Sequence, residues 1–509
     1  MKHALSTARA ANFSAWYQEV IAAADLAEES GVRGCMVIRP WGYGIWERIQ
    51  ALMDAQIKLA GVENCYFPLF IPLSFFEKEA AHVDGFAKEM AVVTHHRLIA
   101  DGKGGLVPDP AAKLEEPLVV RPTSETVIGA AMSRWVQSWR DLPLMVNQWA
   151  NVVRWEMRTR MFLRTSEFLW QEGHTAHATR DDAMAETLRA LEMYRAFAEG
   201  PLAMPVVTGE KPENERFPGA VATYSIEAMM QDGKALQAGT SHYLGTGFAE
   251  SSGIKYQDRD GSQQFAHTTS WGVSTRLIGG VIMTHGDDDG LRCPPQIAPQ
   301  QVVIVPMLRD DDGDAALLDY CKALARELRS QNAFGEPLRV LVDNKSQKTQ
   351  VKRWNWIKKG APLILEIGGR DVAGGNVSMI RRDRLYTAEG KLNANIQTRD
   401  AFVANAGAVL VSIQLNMFVD ARHRMNSNIR RDIVDFAALE SYFTATDLPG
   451  WVEVEWSRPS GAALDAVVTR IKALKLTIRN APLGAAPAIG TCIFTGEPAV
   501  ERILVGRAY

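Results

Sequence analysis

A run of arginines ending in an aromatic residue is the part of the sequence best suited to chemistry. The segment VVRWEMRTRMFLRTSEF carries Arg154 and Glu156, a short loop with two further arginines, and then Arg164 followed by Phe168. Guanidinium groups bind phosphate oxygens in pairs, an aromatic ring can stack on a base, and a carboxylate can accept a hydrogen bond from an amino group. The segment therefore predicts a nucleotide site.

A strand–loop–strand hairpin would bring these groups together. Side chains on a strand repeat every second residue, which would place Arg154 and Glu156 on one face, and Arg164 and Phe168 on one face of the return strand. The alternative is a surface hairpin whose charges form exposed ion pairs of little energetic value. The segment alone leaves both interpretations open.

The elements around this hairpin predict an antiparallel sheet flanked by helices. Helices are predicted at 13–30, at 43–60 and after RPTSE, and the strands MVNQWANVVRWEM and EFLWQEGHTAHA follow one another without a crossover helix. Strands joined by short connections pair antiparallel.

A stretch containing three prolines, DDDGLRCPPQIAPQ, predicts a stiff linker after this first region. Beyond it, QQVVIVPM, LRVLVD and PLILEIGG alternate with helical segments, which is typical of an α/β domain with a largely parallel sheet. A third segment begins near Gly407, with a helix predicted around 422–431. We therefore expect a multidomain α+β and α/β protein, with units at 1–288, 301–406 and 407–509 and a linker at 289–300.

The composition excludes several classes of protein. The chain has 509 residues, of which 47% are hydrophobic and 23% charged, as in a globular protein of roughly two to four domains. No uninterrupted apolar run approaches the roughly 18 residues that cross a bilayer, and the start does not resemble a signal peptide. Five scattered cysteines argue against a disulfide framework. We expect a cytoplasmic protein with no membrane partner.

Three segments, in order, resemble the signature motifs of class II aminoacyl-tRNA synthetases. RWE, the basic loop and RTSEF look like motif 2. GVENCYFP, from Gly61 to Pro68, resembles motif 1, the dimer-forming element, and TTSWGVSTRLIGGVI, with Arg276, resembles motif 3. Each motif is weak alone, but three in order form a specific signal. The resemblance implies an antiparallel-sheet catalytic core with flanking helices, and a homodimer.

Within that class, the chain resembles the prolyl-tRNA synthetase family of the archaeal and eukaryotic type over nearly its whole length. The strings that carry this resemblance are RPTSE, RWEMRTRMFLRTSEFLWQEGHTAHA, QAGTSHYLG, THGDDDGLRCPPQIAP and GRAY. The space between motifs 2 and 3 leaves no room for the large editing insertion of the common bacterial type. The resemblance implies activation of L-proline with ATP to prolyl-adenylate, and its transfer to the 3′ end of tRNA(Pro), with release of AMP and diphosphate.

The same resemblance implies roles for individual residues. Arg154 would hold the α-phosphate and the prolyl carboxylate, and Arg276 would hold the γ-phosphate, which makes both candidate catalytic residues. The other residues that would contact ATP are Glu156, Arg164, Phe168, Gln237 and Thr240, with Mg²⁺ bridging the phosphates. No nucleophilic side chain is needed, because the attack on the α-phosphorus depends on positioning and positive charge.

Proline presents two N–H donors and a compact apolar ring, so its pocket needs acceptors and a tight wall. The implied acceptors are Thr123, Glu125 and Glu172, and the other implied pocket residues are Arg154, Trp170, His242 and Ser274. Thr123 or Ser124 could instead cap a helix, with Glu125 favouring its dipole. A lone histidine is commonly a satisfied polar residue. The resemblance favours binding roles for Thr123, Glu125 and His242, and leaves His174 open.

The α/β unit resembles the anticodon-binding domain of the glycyl, histidyl, prolyl and threonyl enzymes. A net charge of −3 discourages RNA binding, but residues 341–360 carry six basic side chains against Asp343. A solvated helix surface is the alternative. The resemblance favours RNA, with Trp354 and Trp356 available for base stacking. The candidate tRNA-binding residues are Lys345, Lys352, Arg353 and Lys358.

The C-terminal unit departs from the family pattern in its cysteines. Members of the family often carry a four-cysteine zinc site, whereas GTCIFTGEPA keeps Cys492 and has Thr495 in place of the second cysteine, and WSRPSGAALD has none. One thiolate cannot form a structural zinc cage. We predict a domain that keeps its fold and holds no structural zinc.

Two other functions fit parts of this pattern. A threonyl or histidyl enzyme of the same class is one, although RPTSE together with WQEGH disfavours it. A non-catalytic paralogue that binds RNA is the other. Such paralogues usually lose motif 2 or motif 3 arginines, whereas Arg154, Arg164 and Arg276 all remain.

Overall fold

The computed structural model describes residues 3–78, 90–309 and 314–509. In the first unit the helices are α1 (Phe13–Ala23), α2 (Pro40–Leu59), α3 (Leu73–Lys78), α4 (Glu125–Trp135), α5 (Arg180–Glu199), α6 (Gly247–Ser252) and α7 (Arg276–His285). Its strands are β1 (Ala27–Glu29), β2 (Met36–Ile38), β3 (Glu63–Asn64), β4 (Phe70–Pro72), β5 (Ala91–His95), β6 (Leu98–Ala100), β7 (Leu106–Pro108), β8 (Lys113–Val120), β9 (Leu144–Val153), β10 (Glu167–His177), β11 (Val206–Glu210), β12 (Ala222–Met229), β13 (Ala235–Gly245), β14 (Lys255–Gln257), β15 (Gln263–Phe265) and β16 (His267–Ser274).

The elements after the linker form two further units. The second contains β17 (Val302–Pro306), α8 (Asp314–Arg329), β18 (Asn332–Ala333), β19 (Glu336–Pro337), β20 (Val340–Val342), α9 (Thr349–Lys359), β21 (Leu363–Ile367), α10 (Gly369–Gly374), β22 (Asn376–Arg381), β23 (Ala394–Thr398) and α11 (Arg399–Ser427). The third contains β24 (Ile429–Arg430), α12 (Phe436–Ala445), β25 (Trp451–Trp456), α13 (Gly461–Ala473), β26 (Thr477–Ile478), β27 (Ala481–Pro482) and β28 (Glu501–Gly506).

An eight-stranded sheet organises the first unit, in the order β27-β11-β12-β13-β16-β10-β9-β3. Its strands pair antiparallel except for the edge strand β3, which runs parallel to β9. This confirms the predicted antiparallel core with flanking helices. Gly173 of β10 lies opposite Trp271 of β16, where a Cβ atom would sit 2.2 Å from the indole ring. Glycine is required there because the fully buried tryptophan fills that space.

The second unit has a mixed five-stranded sheet, in the order β20-β17-β21-β22-β23. β17 pairs parallel with β20 and β21, as the alternation of strands and helices predicts. β22 and β23 then add antiparallel, so the sheet is less parallel than expected. A separate hydrophobic core lies between this sheet and helices α8 and α11.

Helix α11 runs through the predicted boundary between residues 406 and 407. Its buried face, including Phe402, Leu410 and Ile413, packs into the core of the second unit, so the boundary does not fall in a linker. By length and composition, α11 is also a helix that could cross a membrane. The sequence of α11 contains no long uninterrupted apolar run, because Asn405, Gln414 and other polar side chains interrupt it. The core helix of a globular protein can have the same length and apolar composition.

The third unit has its own sheet and core and docks on the first. β27 leaves this unit and pairs with β11, extending the edge of the eight-stranded sheet. Nothing in the sequence pattern indicated that this contact would form.

Candidate active site

One cavity of about 260 Å³ lies over three neighbouring strands of the large sheet. Strand alternation points Trp170, Glu172 and His174 of β10 into it, together with Thr240 and His242 of β13. In the strand register Trp170 lies opposite Ser274 of β16, and Gly272 of β16 lies opposite both Glu172 and Thr240. The period of the strands thus assembles one polar wall.

Other predicted residues reach the cavity from the ends of elements. Thr123 and Glu125 lie at the start of α4, Arg154 directly follows β9, and Arg276 begins α7. The predicted site residues that line the cavity are Thr123, Glu125, Arg154, Phe168, Trp170, Glu172, Gln237, Thr240, His242, Ser274 and Arg276.

Glu156 and Arg164 do not line this cavity among the described residues. β9 ends at Val153 and β10 begins at Glu167, so both side chains lie in the connecting loop and the predicted strand alternation does not apply to them. They pair with each other, with Arg164 Nη2 2.9 Å from Glu156 Oε2. The surface ion pair that the sequence left as an alternative is therefore formed by these two residues.

Arg154 is positioned by its backbone and by two aromatic rings. Its N–H donates to Ser166 O at 2.8 Å, and its Nε donates to Pro122 O at 2.8 Å. The guanidinium carbon lies 5.7 Å from the centre of the Phe168 ring and 5.5 Å from that of Trp170. Such cation–π contacts hold the charge at the cavity wall.

Two buried carboxylates lie beside Arg154. Glu172 Oε1 accepts hydrogen bonds from Ser124 Oγ, at 2.6 Å, and from Gln148. Its other oxygen, Oε2, is buried and has no hydrogen-bond partner within the described residues. Burial raises the pKa of Glu172. A buried carboxylate oxygen without a partner suits a cationic ligand, because an unmade hydrogen bond costs about 1–3 kcal/mol.

Glu125 is held in its ionised form. Burial raises its pKa, but the neighbouring His174 and the hydroxyl of Thr123, which donates to Oε2, outweigh burial and lower the pKa to about 2. His174 Nε2 lies 3.7 Å from Glu125 Oε1. Burial lowers the pKa of His174, but Glu125 and Glu172 outweigh burial and raise the pKa above its ordinary value. The structure thus brings His174, left open by the sequence, into the cavity wall.

His242 is kept neutral at pH 7. It is buried, and burial lowers its pKa to about 4. Its Nδ1 lies 3.0 Å from Thr223 Oγ1, and its ring packs against Phe217, with the centroids 4.8 Å apart. Both contacts come from a part of the cavity that the sequence motifs do not include.

Arg276 is the arginine of the cavity best placed for an anion. Its Nε donates to Leu163 O and its Nη1 to Gln237 O, each at 3.3 Å. Within the described ranges it forms no ion pair, and burial, together with repulsion from Arg154 and Arg164, lowers its pKa to about 10. A bound phosphate would relieve that repulsion.

The sequence did not identify the segment that closes one side of the cavity. Glu215, Arg216 and Phe217, which precede β12, line it together with Thr223. They lie between the recognised motifs and follow no periodic pattern, so the only available signal was the turn-forming sequence KPENERFPG.

The predicted tRNA-binding residues are not all exposed, and two of them are engaged within the unit. Lys352 is fully buried, and its Nζ donates to backbone carbonyls of Pro306, Asp343 and Lys345. Arg353 pairs with Glu366 at 3.0 Å. These two cations stabilise the unit itself. In contrast, Lys345 is exposed and Lys358 half-buried, so they remain candidates for contacting RNA.

The tryptophans of α9 face the protein. Trp356 is buried and its Nε1 donates to Asp343 Oδ2 at 2.8 Å. Trp354 packs against the main core. Base stacking on Trp356 therefore conflicts with its burial.

Cys492 is buried in the third unit beside Ser457 and Thr495, whose hydroxyl oxygens lie 2.9 Å apart. Over the described ranges no group of three or more His, Cys, Asp or Glu side chains could hold a metal ion. The expected loss of the zinc site remains a prediction.

Comparisons with known proteins agree on the class. The family described as tRNA synthetase class II core domain (G, H, P, S and T) matches residues 111–285, and the anticodon binding domain family matches residues 301–395. The chain thus combines a class II catalytic core with an anticodon-binding unit.

Relatives specify the family within that class. The chain is 75% identical to a proline–tRNA ligase of Sphingopyxis alaskensis, over 100% of this chain and 96% of the relative. It is 71% identical to that of Novosphingobium aromaticivorans, over 100% and 99% of the two chains, and 52% identical to that of Bdellovibrio bacteriovorus, over 99% of each. The chain belongs to the proline–tRNA ligase family. These relatives are bacterial, and the archaeal and eukaryotic type assignment remains a prediction.

Proposed function

We propose that this chain activates L-proline with ATP to prolyl-adenylate and transfers the prolyl group to the 3′ end of tRNA(Pro), releasing AMP and diphosphate. One observation carries the proposal. The guanidiniums of Arg154 and Arg276 and the buried carboxylates of Glu125 and Glu172 line a single cavity. A zwitterionic amino acid and a polyphosphate together present the complementary charges.

The amino acid end would use the carboxylates. The unpartnered Oε2 of Glu172 would accept from the prolyl ammonium, with Glu125 and the Thr123 hydroxyl near the second N–H. Trp170 and the neutral His242 would enclose the ring without adding a competing charge. Ser274, opposite Trp170, would complete the wall.

The nucleotide end would use the arginines. Arg154 would hold the α-phosphate and the attacking carboxylate, and Arg276 the γ-phosphate, because negative charge grows on the phosphate oxygens during the attack. Phe168 would stack on adenine, beside Gln237 and Thr240, and Glu156 and Arg164 would have to reach ATP from their loop. Mg²⁺ would enter on the ATP phosphates, since it usually keeps several oxygen ligands from phosphate and water.

The remaining units would serve the tRNA. Residues 301–406 would bind the anticodon, with Lys345 and Lys358 contacting phosphates. We also propose a cytoplasmic homodimer formed through the motif 1 region. The exposed apolar side chains of Leu59 and Tyr66, which are 88% and 73% accessible to solvent, support this proposal. Equilibrium sedimentation tests the dimer.

Proline-dependent exchange of pyrophosphate into ATP, followed by charging of tRNA, tests the activity. We expect proline to exceed threonine and histidine strongly. We expect measurable exchange with alanine and cysteine, because a pocket gains only about 1–3 kcal/mol from one methylene. Exchange that depends on threonine or histidine instead of proline would contradict the proposal. An alanine efficiency more than about 10⁵-fold below that of proline would contradict the expected misactivation.

A further inference from the structure

A buried ion cluster joins the third unit to the catalytic sheet, and the proposed reaction does not use it. Glu227 of β12 is fully buried, with Lys211 Nζ 2.8 Å from its Oε1. Arg479, between β26 and β27, donates to its Oε2 from Nε at 3.1 Å and from Nη2 at 2.8 Å. Ser225 Oγ donates to Oε1 at 3.0 Å.

The cluster buries two cations against one anion. Burial raises the pKa of Glu227, but Lys211 and Arg479 outweigh it and bring the pKa below its ordinary value. Burial lowers the pKa of Lys211, and Arg479 lowers it further. Apolar side chains could join two units at lower cost, because desolvating charges is expensive. The position of the cluster indicates what it accomplishes.

On one side the cluster reaches the nucleotide end of the cavity. Glu227 lies opposite Gln237 across the β12–β13 pair, at a bulge that leaves Ala238 without a partner. The carbonyl of Gln237 accepts from Arg276 Nη1 at 3.3 Å. Bulges redirect the groups around them, so a fixed Glu227 holds the bulge and, through it, the acceptor that orients Arg276.

On the other side Lys211 begins the segment that lines the amino acid end. Its backbone N–H donates to Thr223 O at 2.8 Å, and Glu215 and Phe217 of the segment line the cavity. Lys211 would still neutralise Glu227 if Arg479 lost its charge. The two ends of the cavity can therefore be perturbed separately.

We propose that Arg479 is a positioning residue for nucleotide binding, through which the third unit fixes Glu227, the β12–β13 bulge and hence Arg276. The proposal rests on the proposed function, because it takes the Arg276 end as the ATP end. It gives the third unit a role at the active site that does not involve RNA or a metal.

Arg479→Met tests this role, because methionine keeps an unbranched chain and removes the charge. Arg458→Met is the matched control: it lies in the same unit and bonds Glu210, at 3.1 Å, and Glu501, at 2.7 Å, without touching Glu227. We expect Arg479→Met to raise the KM for ATP in pyrophosphate exchange roughly tenfold, the scale of one lost charged hydrogen bond. The KM for proline should stay within about twofold, and Arg458→Met should leave both constants unchanged.

A KM for ATP that stays at the wild-type value in folded Arg479→Met would overturn the proposal, even if its melting temperature fell. An equal effect of Arg458→Met would also overturn it, because any weakening of the docking would then suffice. If Arg479→Met does not fold, Arg479→Gln, which also removes the charge, is judged by the same KM values. If the wild-type chain shows no proline-dependent exchange, the proposed function fails, and calorimetric ATP binding by wild type and Arg479→Met still decides the role of Arg479.

Discussion

The most informative residues are those whose buried polar atoms lack partners. In the part of the chain that the structure describes, Glu172 Oε2 and Trp170 Nε1 of the same cavity are both buried without hydrogen bonds. Buried polar groups in folded proteins nearly always find partners, so these two atoms, which face the cavity, are available to a ligand there. In contrast, the Glu227 carboxylate is fully paired and faces cations of the protein.

Glu172→Gln should weaken proline recognition selectively. The amide keeps the size of the side chain but removes the charge that would face the prolyl ammonium. We expect the KM for proline to rise about 10- to 100-fold, since a hydrogen bond between charged groups contributes about 1.5–3 kcal/mol. Pyrophosphate exchange measures this, and the KM for ATP should change by less than about twofold. Glu192→Gln, which removes an exposed partner of Arg195 on α5, is the control. Equal rises in both constants would argue against Glu172 as the ammonium acceptor.

His285 should make the fold sensitive to acid. It is buried, its Nε2 lies 2.9 Å from Leu202 O, and burial lowers its pKa to about 3. Between pH 6.5 and 3 the unfolded chain binds a proton that the folded chain excludes, so this stability is complete above pH 6.5 and is lost as the pH falls. From pH 7.5 to 5 the loss is about 2 kcal/mol.

Urea unfolding of His285→Gln at pH 7.5 and pH 5 measures the contribution of His285 to the free energy of unfolding. Glutamine can still donate to the Leu202 carbonyl and does not titrate, so its free energy of unfolding should fall about 2 kcal/mol less than that of the wild type. The exposed His423→Gln should behave as the wild type does. A wild-type pH dependence in His285→Gln would show that this histidine does not carry the effect.

At the scale of elements, α9 and the loop before it contain two kinds of cation: some bind groups of the protein itself, and others are exposed and free to bind RNA. The helix buries Lys352 and pairs Arg353 with Glu366, whereas Lys345 and Lys348 precede it on an exposed loop. Periodicity places the lysines of a helix on its surface, but a lysine stem can be buried when its ammonium finds carbonyls. Removing Lys352 should therefore unfold the unit and would not report on RNA binding.

The double variant Lys345→Ala/Lys348→Ala tests RNA contact by this loop. We expect kcat/KM for tRNA charging to fall about tenfold. The slope of log kcat/KM against the logarithm of the salt concentration should become shallower by about two, because two phosphate contacts are lost. Pyrophosphate exchange should be unchanged. Lys472→Ala, an exposed lysine of α13, is the control. If charging is unaffected at low and high salt, the loop does not contact tRNA.

The sequence predicts the elements far better than it predicts their long-range contacts. The motifs RPTSE and WQEGH identify Thr123, Glu125 and Glu172, which line the cavity. Short motifs predict such residues well because they place them at the end of an element or on one face of a strand. Glu156 and Arg164 were misplaced because the strands end before them. Phe217 and Arg479 reach their positions through pairings between distant segments, such as β27 with β11, and local periodicity contains no information on such pairings.

At the scale of the whole molecule, the three units are joined by buried charges as well as by apolar surface. Arg479 joins the third unit to the catalytic sheet, and Arg382 joins the second unit to Asp287 of the first unit, just before the linker. Directional contacts of this kind fix orientation, because they are lost when the units rotate. The relative placement of the tRNA-binding unit and the cavity therefore depends on these pairs as well as on the apolar core that the first two units share.

Arg382→Met tests that dependence for the second unit. Arg382 is buried, its Nη1 and Nη2 lie 2.8 and 2.5 Å from the carboxylate of Asp287, and its Nε donates to Ile357 O at 2.9 Å. Breaking a buried pair costs about 3 kcal/mol or more, and Arg292, 2.8 Å from Asp287, would compensate only in part. We expect calorimetric unfolding to separate into two transitions, and tRNA charging to fall more than tenfold while pyrophosphate exchange stays within about threefold.

Arg381→Met is the matched control, since Arg381 pairs with Asp383 inside the same unit, at 2.8 Å. A single transition in Arg382→Met, or equal losses of charging in the two variants, would show that the Asp287 contact does not set the arrangement of the units.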